Sequence, residues 1–114
     1  NAACLGGNIA TASPISDMNP LLTALDATLE LASSAGTRQV QIRDFWLGYR
    51  KIDMKPEEVI VAVHIPLVFG GAAAAAAGTV TCFEAYKQAR RREDDISIVT
   101  GGIGIKLRET GVNE

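Results

Sequence analysis

Apolar and polar residues alternate along two stretches in the first half of the chain, at residues 27–32 and 40–43. A period of two is typical of strands that bury one face. The segment between them, residues 33–37, reads Ser-Ser-Ala-Gly-Thr and has the composition of a turn. The pattern therefore predicts two half-buried antiparallel strands joined as a hairpin.

Three further patterns lie around this hairpin. Leucines at helical spacing after Asn19-Pro20 predict a short helix with Asn19 as its N-cap and proline at the first helical position. The aromatic-rich stretch 45–51 predicts a loop or a single helical turn that closes one end of the core. The β-branched run 59–65, which Pro66 ends, predicts a strand covered on both faces.

The second half begins with a low-complexity segment, residues 67–79, that holds six consecutive alanines between glycines. Because a short alanine helix between glycines is marginal, we expect an inserted surface loop. Strand patterns follow at 80–86 and 103–108, whereas 96–99 fits either a helical turn or the start of a strand. The order of elements predicts an α+β fold, mainly antiparallel sheet with short helices.

Composition narrows the function classes. The chain has 114 residues and a net charge of −2, which argues against a nucleic-acid or anionic-membrane surface. No apolar run approaches the roughly 20 residues that cross a bilayer. Cys4 and Cys82 form no CxxC pair, so we expect two buried free thiols and no metal site. Since the sequence starts at Asn1 and a candidate ligand loop follows at once, we expect it to be a piece of a longer polypeptide.

The candidate chemistry lies in residues 5–20. Gly6-Gly7 predicts a turn whose exposed amides a ligand can approach closely, and small polar side chains follow it. These side chains belong to Asn8, Thr11, Ser13, Ser16 and Asp17. The set favours a polar cofactor cradle, although a glycine turn that binds nothing is the commoner case. Asp17 has two interpretations, a helix-capping residue or an acceptor for a ligand hydroxyl.

Other chemistry has weaker support. His64 has no second histidine with which to form a dyad or metal pair, and we expect it on a strand face or edge. Ser13 and Ser16 lack a GxSxG elbow, and Glu57-Glu58 is typical of a solvated turn. The charged stretch that follows Lys87 is either a salt-bridged surface loop or a loop that tunes a bound ligand. Lys87 itself precedes the stretch in a strand, where its ammonium could face an anionic ligand.

Five motifs occur in an order that resembles one known family. They are Leu5-Gly6-Gly7-Asn8-Ile9, residues 11–20, Gly48-Tyr49-Arg50-Lys51, residues 56–60 and residues 85–96. The chain is similar to the middle of the FAD-binding domain of eukaryotic xanthine dehydrogenases, which are molybdenum hydroxylases. The resemblance covers nearly the whole chain apart from the alanine segment. It implies a flavoprotein fold of the PCMH type at 1–66, an inserted loop at 67–79 and the start of the C-terminal flavoprotein subdomain at 80–114.

The resemblance also implies site residues. The family's flavin contacts fall on Cys4, Leu5, Gly6, Gly7, Asn8, Thr11, Asp17, Ile60 and Lys87. Cys4 replaces the family's usual serine, so only a backbone contact is expected there. A loop beside the flavin that affects access of NAD and the choice of electron acceptor falls on Arg91, Arg92, Glu93, Asp94 and Asp95. No catalytic or metal-ligating residue falls in this chain.

The activity implied by the resemblance is electron relay from purine oxidation. A molybdopterin centre and two [2Fe–2S] clusters elsewhere in the parent polypeptide pass electrons to FAD, which reduces NAD⁺ or oxygen. The parent is expected to be a cytoplasmic homodimer, with peroxisomes as the alternative compartment, and the fragment alone is expected to be inactive. Two other hypotheses are an aldehyde oxidase of the same architecture and a non-catalytic scaffold that kept the fold.

Overall fold

The computed structural model describes residues 4–67, 79–90 and 95–108, and these residues form the predicted α+β fold. The helices are α1 (Leu5–Thr11), α2 (Asn19–Ala24) and α3 (Ile42–Phe45). The strands are β1 (Thr28–Ser33), β2 (Gly36–Gln41), β3 (Trp46–Gly48), β4 (Lys51–Ile52), β5 (Val59–His64), β6 (Thr79–Ala89) and β7 (Ser97–Arg108). The alanine run and residues 91–94 lie outside the described residues, and so do both chain ends.

The central sheet has the order β2-β1-β5, and β1 pairs antiparallel with both neighbours. Leu29 and Leu31 of β1 are fully buried, whereas Thr28, Glu30 and Ala32, which alternate with them, are half-buried. The alternation in the sequence therefore places one face of β1 in the core. The predicted hairpin is confirmed, but its turn is shorter than expected, and its second strand ends at Gln41 because residues 42 and 43 belong to α3. The second strand already begins at Gly36, whose φ of +133° suits glycine.

The prediction that β5 is covered on both faces is wrong. Ile60 and Val63 pack against the core, whereas Val59 and Val61 are more than half exposed. β5 is the last strand of its sheet, and within the described residues nothing packs on its outer face. A continuous β-branched run therefore did not distinguish an edge strand from a central one.

The aromatic segment closes one end of the core. The prediction of a loop or helical turn at 45–51 is wrong for most of that stretch, because β3 and β4 pair there as a short antiparallel ladder. The helical turn, α3, lies earlier, and Phe45 at its end is fully buried. Trp46 meets Phe45 edge to face at 6.2 Å, and its indole N–H donates to the carbonyl of Ile9 at 3.1 Å. These contacts attach α1 to the core.

An ion-pair cluster lies at another edge of the sheet and corrects the prediction of a solvated Glu57-Glu58 turn. The Glu58 side chain is only 6% exposed and accepts from Arg38 Nε at 2.7 Å. Arg38 also donates to the carboxylate of Asp53 at 2.9 Å. The guanidinium of Arg38 and the backbone N–H of Lys55 lower the pKa of Glu58 from 4.5 to about 2.

β6 and β7 form a long antiparallel hairpin, which confirms the predicted strands and shows that residues 97–99 are extended. β7 packs against α2 at Gly102. A Cβ placed there would lie 3.1 Å from both Leu21 Cα and the carbonyl oxygen of Pro20. Because both atoms belong to the backbone, the absence of a side chain at Gly102 is what lets the strand approach the helix this closely.

Two smaller predictions have mixed outcomes. Cys4 and Cys82 are free but exposed, so the expectation that they are buried is wrong. His64 lies at the end of β5 as expected, and its Nε2 contacts Glu30 Oε2 at 2.9 Å. None of the helices in the described part of the chain has the length and apolar character needed to cross a membrane.

Candidate functional site

The predicted glycine turn is a helix. Gly6 and Gly7 lie in the first half of α1, and of the glycines described only Gly36 has a positive φ. The helix begins after Cys4, whose Sγ accepts from Gly7 N–H at 3.3 Å in the N-cap position. The glycines therefore contribute an uncovered helix surface rather than unusual backbone angles, and a Cβ on Gly6 would meet nothing within 4 Å.

A cleft of about 710 Å³ opens between α1 and the segment that leads to α2. Its walls are formed by Cys4, Leu5, Gly7, Asn8, Thr11, Ser13, Asp17 and Met18. Six of these residues belong to the set that the resemblance implied. Residues of the predicted cradle therefore line one cleft, although its backbone differs from the predicted one, and the binding of a cofactor there stays a prediction.

The side chain of Asn8 is held by a short chain of hydrogen bonds. Ser16 Oγ donates to Asn8 Oδ1 at 2.6 Å and accepts from the backbone N–H of Asn19 at 3.2 Å. With its oxygen engaged, Asn8 presents its amide NH₂ as a donor. Ser16 is buried and was not predicted to position another site residue.

These bonds also correct the predicted cap of α2. Asn19 is the first residue of the helix and not its N-cap, and its buried Oδ1 has no hydrogen-bond partner among the residues that the structure describes. Ser16 instead supplies the oxygen that accepts from the first turn. A serine three residues before the helix is the sequence signal that would have identified it.

Thr11 and Asp17 contribute acceptors to the cleft. The hydroxyl of Thr11 donates to the carbonyl of Gly7 at 2.7 Å, which leaves its lone pairs for a ligand donor. The Asp17 carboxylate is 56% exposed, and the N-cap position of α2 belongs to Met18. The capping interpretation of Asp17 is therefore wrong, whereas its role as an acceptor for a ligand hydroxyl stays a prediction.

Lys87 joins the second half of the chain to this cleft. Its Nζ lies 3.1 Å from Asp17 Oδ1 and 3.2 Å from Asp95 Oδ2. The Lys87 side chain is 27% exposed, and its hydrogen bonds to Asp17 and Asp95 raise its pKa, so the ammonium stays charged. Lys87 lies in β6, as predicted, and its ammonium faces the carboxylates of Asp17 and Asp95.

The remaining predicted residues separate into three groups. Ile60 packs against the hydrophobic core and does not line the cleft, so its flavin contact stays a prediction. Asp95 reaches the cleft through Lys87 alone among the contacts described. Arg91, Arg92, Glu93 and Asp94 lie outside the described residues. Ser13, which belongs to the predicted polar cradle, lines the cleft, and so does Met18, which was not among the predicted site residues.

Comparison with known proteins identifies the family. The model for the FAD binding domain in molybdopterin dehydrogenase matches residues 1–68. The chain belongs to this family. Among solved structures, quinoline 2-oxidoreductase from Pseudomonas putida 86 superposes on this FAD-binding domain with a TM-score of 0.71 and 34% sequence identity. The superposition covers 90% of this chain and 32% of the other.

Two curated relatives of this FAD-binding domain are xanthine dehydrogenases by name. Xanthine dehydrogenase/oxidase of Gallus gallus is 50% identical over 106 residues, which are 92% of this chain and 7% of the relative. Xanthine dehydrogenase 2 of Arabidopsis thaliana is 43% identical over 112 residues, which are 97% of this chain and 8% of the relative. The chain therefore corresponds to a small part of each curated relative.

The cleft residues fit FAD in the chemistry of their donors and acceptors. FAD carries ring carbonyls, ribityl and ribose hydroxyls, and a pyrophosphate. The Asn8 amide and the Lys87 ammonium match its acceptors, while Thr11 and Asp17 match its hydroxyls. Among the described residues no cluster of three or more His, Cys, Asp or Glu side chains could hold a metal ion.

Proposed function

We propose that the chain is the FAD-binding segment of a molybdenum hydroxylase of the xanthine dehydrogenase type, and that the cleft beside α1 holds part of the FAD. The observation that supports this most is the convergence of Asn8, Thr11 and Asp17 on one cleft in a chain of the FAD-binding family. Cys4, Leu5, Gly6 and Gly7 contribute backbone surface to the same helix. Ile60 and Lys87 complete the proposed set.

Each proposed residue has a role that its hydrogen bonds define. Asn8, which Ser16 orients, donates to an acceptor of the cofactor, and Asp17 accepts from a hydroxyl. Lys87 keeps the Asp17 carboxylate close to an ammonium, which reduces the repulsion between that carboxylate and an anionic ligand. FAD, when bound, supplies the two-electron redox chemistry, while these residues orient it and set its local field.

The wider activity is also part of this proposal. In this proposal the molybdopterin and the two [2Fe–2S] clusters lie in other parts of the parent enzyme. They would deliver electrons from purine oxidation to FAD, which would reduce NAD⁺ or oxygen. The segment Arg91–Asp95 affects access of that acceptor. We place the parent enzyme in the cytoplasm as a homodimer, with the FAD-binding subdomain at 1–66, the inserted segment at 67–79 and the next subdomain from residue 80. The names of the relatives favour xanthine dehydrogenase over aldehyde oxidase.

The test uses the full-length enzyme and measures FAD per polypeptide after purification. Asn8→Ala and Asp17→Ala remove one donor and one acceptor from the cleft, and we expect each to lower FAD occupancy by at least half. Gln39→Ala and Glu57→Ala are the matched controls, because both side chains are exposed and lie outside the cleft. Unchanged occupancy in both cleft variants would contradict the proposal.

A second assay separates the activities within this architecture. The wild-type enzyme is supplied with xanthine or an aldehyde, and with NAD⁺ or oxygen as acceptor. We expect xanthine to reduce NAD⁺. Activity with the aldehyde alone would favour the aldehyde oxidase hypothesis. If the enzyme binds FAD but is inactive with every combination of substrate and acceptor, the scaffold hypothesis is favoured.

A further inference from the structure

Lys87 is shared by two carboxylates that come from distant parts of the chain. Asp17 precedes α2, whereas Asp95 lies just before β7, and the same Nζ contacts both at 3.1 and 3.2 Å. An ammonium has three N–H donors, and two of them are directed at these carboxylates. One cation therefore lies between the two aspartates.

The docking of the hairpin on α2 explains how Lys87 reaches Asp17. Gly102 pairs with Ala85, two residues before Lys87, and packs on the first residues of α2. Asp17 lies two residues before the start of that helix. The close approach at Gly102 thus brings Lys87 alongside the cleft.

The two carboxylates differ in their access to the cleft. Asp17 lines it, while Asp95 is 83% exposed and does not. Asp95 has a φ of +51°, a left-handed conformation that Asp and Asn adopt more readily than most residues. Among the contacts described, the hydrogen bond that Asp95 accepts from Lys87 is the one that links it to the cleft.

We propose that Lys87 is a positioning residue through which Asp95 sets the affinity of the cleft for FAD without touching the cofactor. This inference rests on the proposed function. Lys87, Asp17 and Asp95 together carry one net negative charge. Removing the charge of Asp95 makes the group neutral and leaves the ammonium to Asp17 alone, which favours an anionic ligand.

The experiment measures the dissociation constant of FAD for the flavin-depleted full-length enzyme, by flavin fluorescence, at low and high salt. Asp95→Asn keeps the left-handed backbone accessible and should tighten FAD binding about threefold at low salt, with the gain reduced at high salt. In a Lys87→Met background the same substitution should change affinity by less than about 1.5-fold, because the link to Asp17 is gone. Lys87→Arg should restore the coupling.

Two controls separate this coupling from general charge effects. Glu84→Gln removes one exposed charge from β6 of the same hairpin, and Lys106→Met removes an exposed lysine from β7. We expect neither to alter FAD affinity by more than about 1.5-fold. An equal effect of Asp95→Asn with and without Lys87, or an equal effect of Glu84→Gln, would overturn the inference.

The inference and the proposed function fail in different ways. If Asp17→Ala lowers FAD occupancy but Asp95→Asn has no effect, the cleft binds FAD and the coupling through Lys87 is wrong. If neither Asp17→Ala nor Asn8→Ala alters occupancy, the proposed cleft itself is wrong.

Discussion

The sheet β2-β1-β5 and the hairpin β6–β7 are built from similar alternating sequences, yet they are stabilised in different ways. In the sheet, Leu29 and Leu31 are fully buried, and they form one contiguous core with Ile9 of α1 and Phe45 of α3. In the hairpin, large apolar residues remain about half exposed. They are Val80, Tyr86, Ile98, Val99, Ile103, Ile105 and Leu107.

The difference shows that a site can depend on an element that contributes little to the core. The sheet anchors α1 through Trp46, which donates to Ile9. The hairpin instead supplies Lys87, and a close contact at Gly102 and an ion pair with Asp17 hold it at the cleft. The sheet therefore stabilises the helix that forms one wall of the cleft, and the hairpin places the charge of Lys87 beside it.

The largest expected effect lies in the core of the sheet. Phe45→Ala removes a fully buried ring and should lower the free energy of opening of β1 and β5 by about 3–5 kcal/mol. Hydrogen exchange of these strands in the full-length protein measures the loss. Leu47→Ala, at a position that is 67% exposed, should change it by no more than about 0.5 kcal/mol. Similar losses in the two variants would mean that the core is not centred on Phe45.

The contact between the hairpin and α2 comes next. Gly102→Ala introduces a Cβ 3.1 Å from backbone atoms of α2, and we expect about 1–3 kcal/mol of destabilisation. Exchange of the amides in α2 and β7 should rise, while that of β1 stays as in the wild type. Gly101→Ala is the matched control, because its Cβ would meet nothing within 4 Å. Equal behaviour of the two variants would show that the hairpin does not depend on this approach.

The ion pair at the sheet edge predicts a pH dependence. The pKa of Glu58 is lowered from 4.5 to about 2, so its contribution to stability is present above pH 4.5 and is lost as the pH falls toward 2. Glu58→Gln should lower the midpoint of thermal unfolding at pH 7 by roughly 5 °C. The difference between wild type and variant should shrink between pH 4.5 and 2.

Glu57→Gln, at the exposed neighbouring position, serves as the control for Glu58→Gln. A difference that persists unchanged down to pH 2 would mean that the Arg38–Glu58 pair does not account for the acid sensitivity.

The smallest effect is expected at the exposed pair of His64 and Glu30. Their side chains are 51% and 31% exposed, so the pair is largely solvated. A double-mutant cycle with His64→Ala and Glu30→Ala should give a coupling energy below about 0.5 kcal/mol, measured by unfolding at pH 7. A value above about 2 kcal/mol would show that this edge of the sheet is more constrained than its exposure indicates.

Much of the fold could be predicted from local patterns. The alternation at 27–32 identified β1 because Leu29 and Leu31 on one of its faces are buried, whereas that at 40–43 located only the end of β2, in which Val40 alone is buried. The long hairpin was recognisable at Val80–Tyr86 from a similar alternation, although none of the β6 residues is fully buried. Local patterns could not show that β5 is an edge strand, because whether a second layer covers Val59 and Val61 depends on the rest of the fold.

Most residues that line the cleft were named from the sequence, but the helical backbone that presents them was not. Gly6-Gly7 suggested a turn, since glycine disfavours helices, yet packing of Ile9 and the tie from Trp46 stabilise α1. The ion pairs of Lys87 with Asp17 and of Arg38 with Glu58 join residues far apart in sequence. Such contacts carry no local signal, so only the three-dimensional structure shows them.

The most direct test of the central claim is an experimental structure of the full-length enzyme with FAD bound. The account predicts that FAD occupies the cleft between α1 and residues 13–18, with Asn8, Thr11 and Asp17 within hydrogen-bonding distance of it. A structure in which FAD binds elsewhere, while protein side chains fill this cleft, would contradict the account.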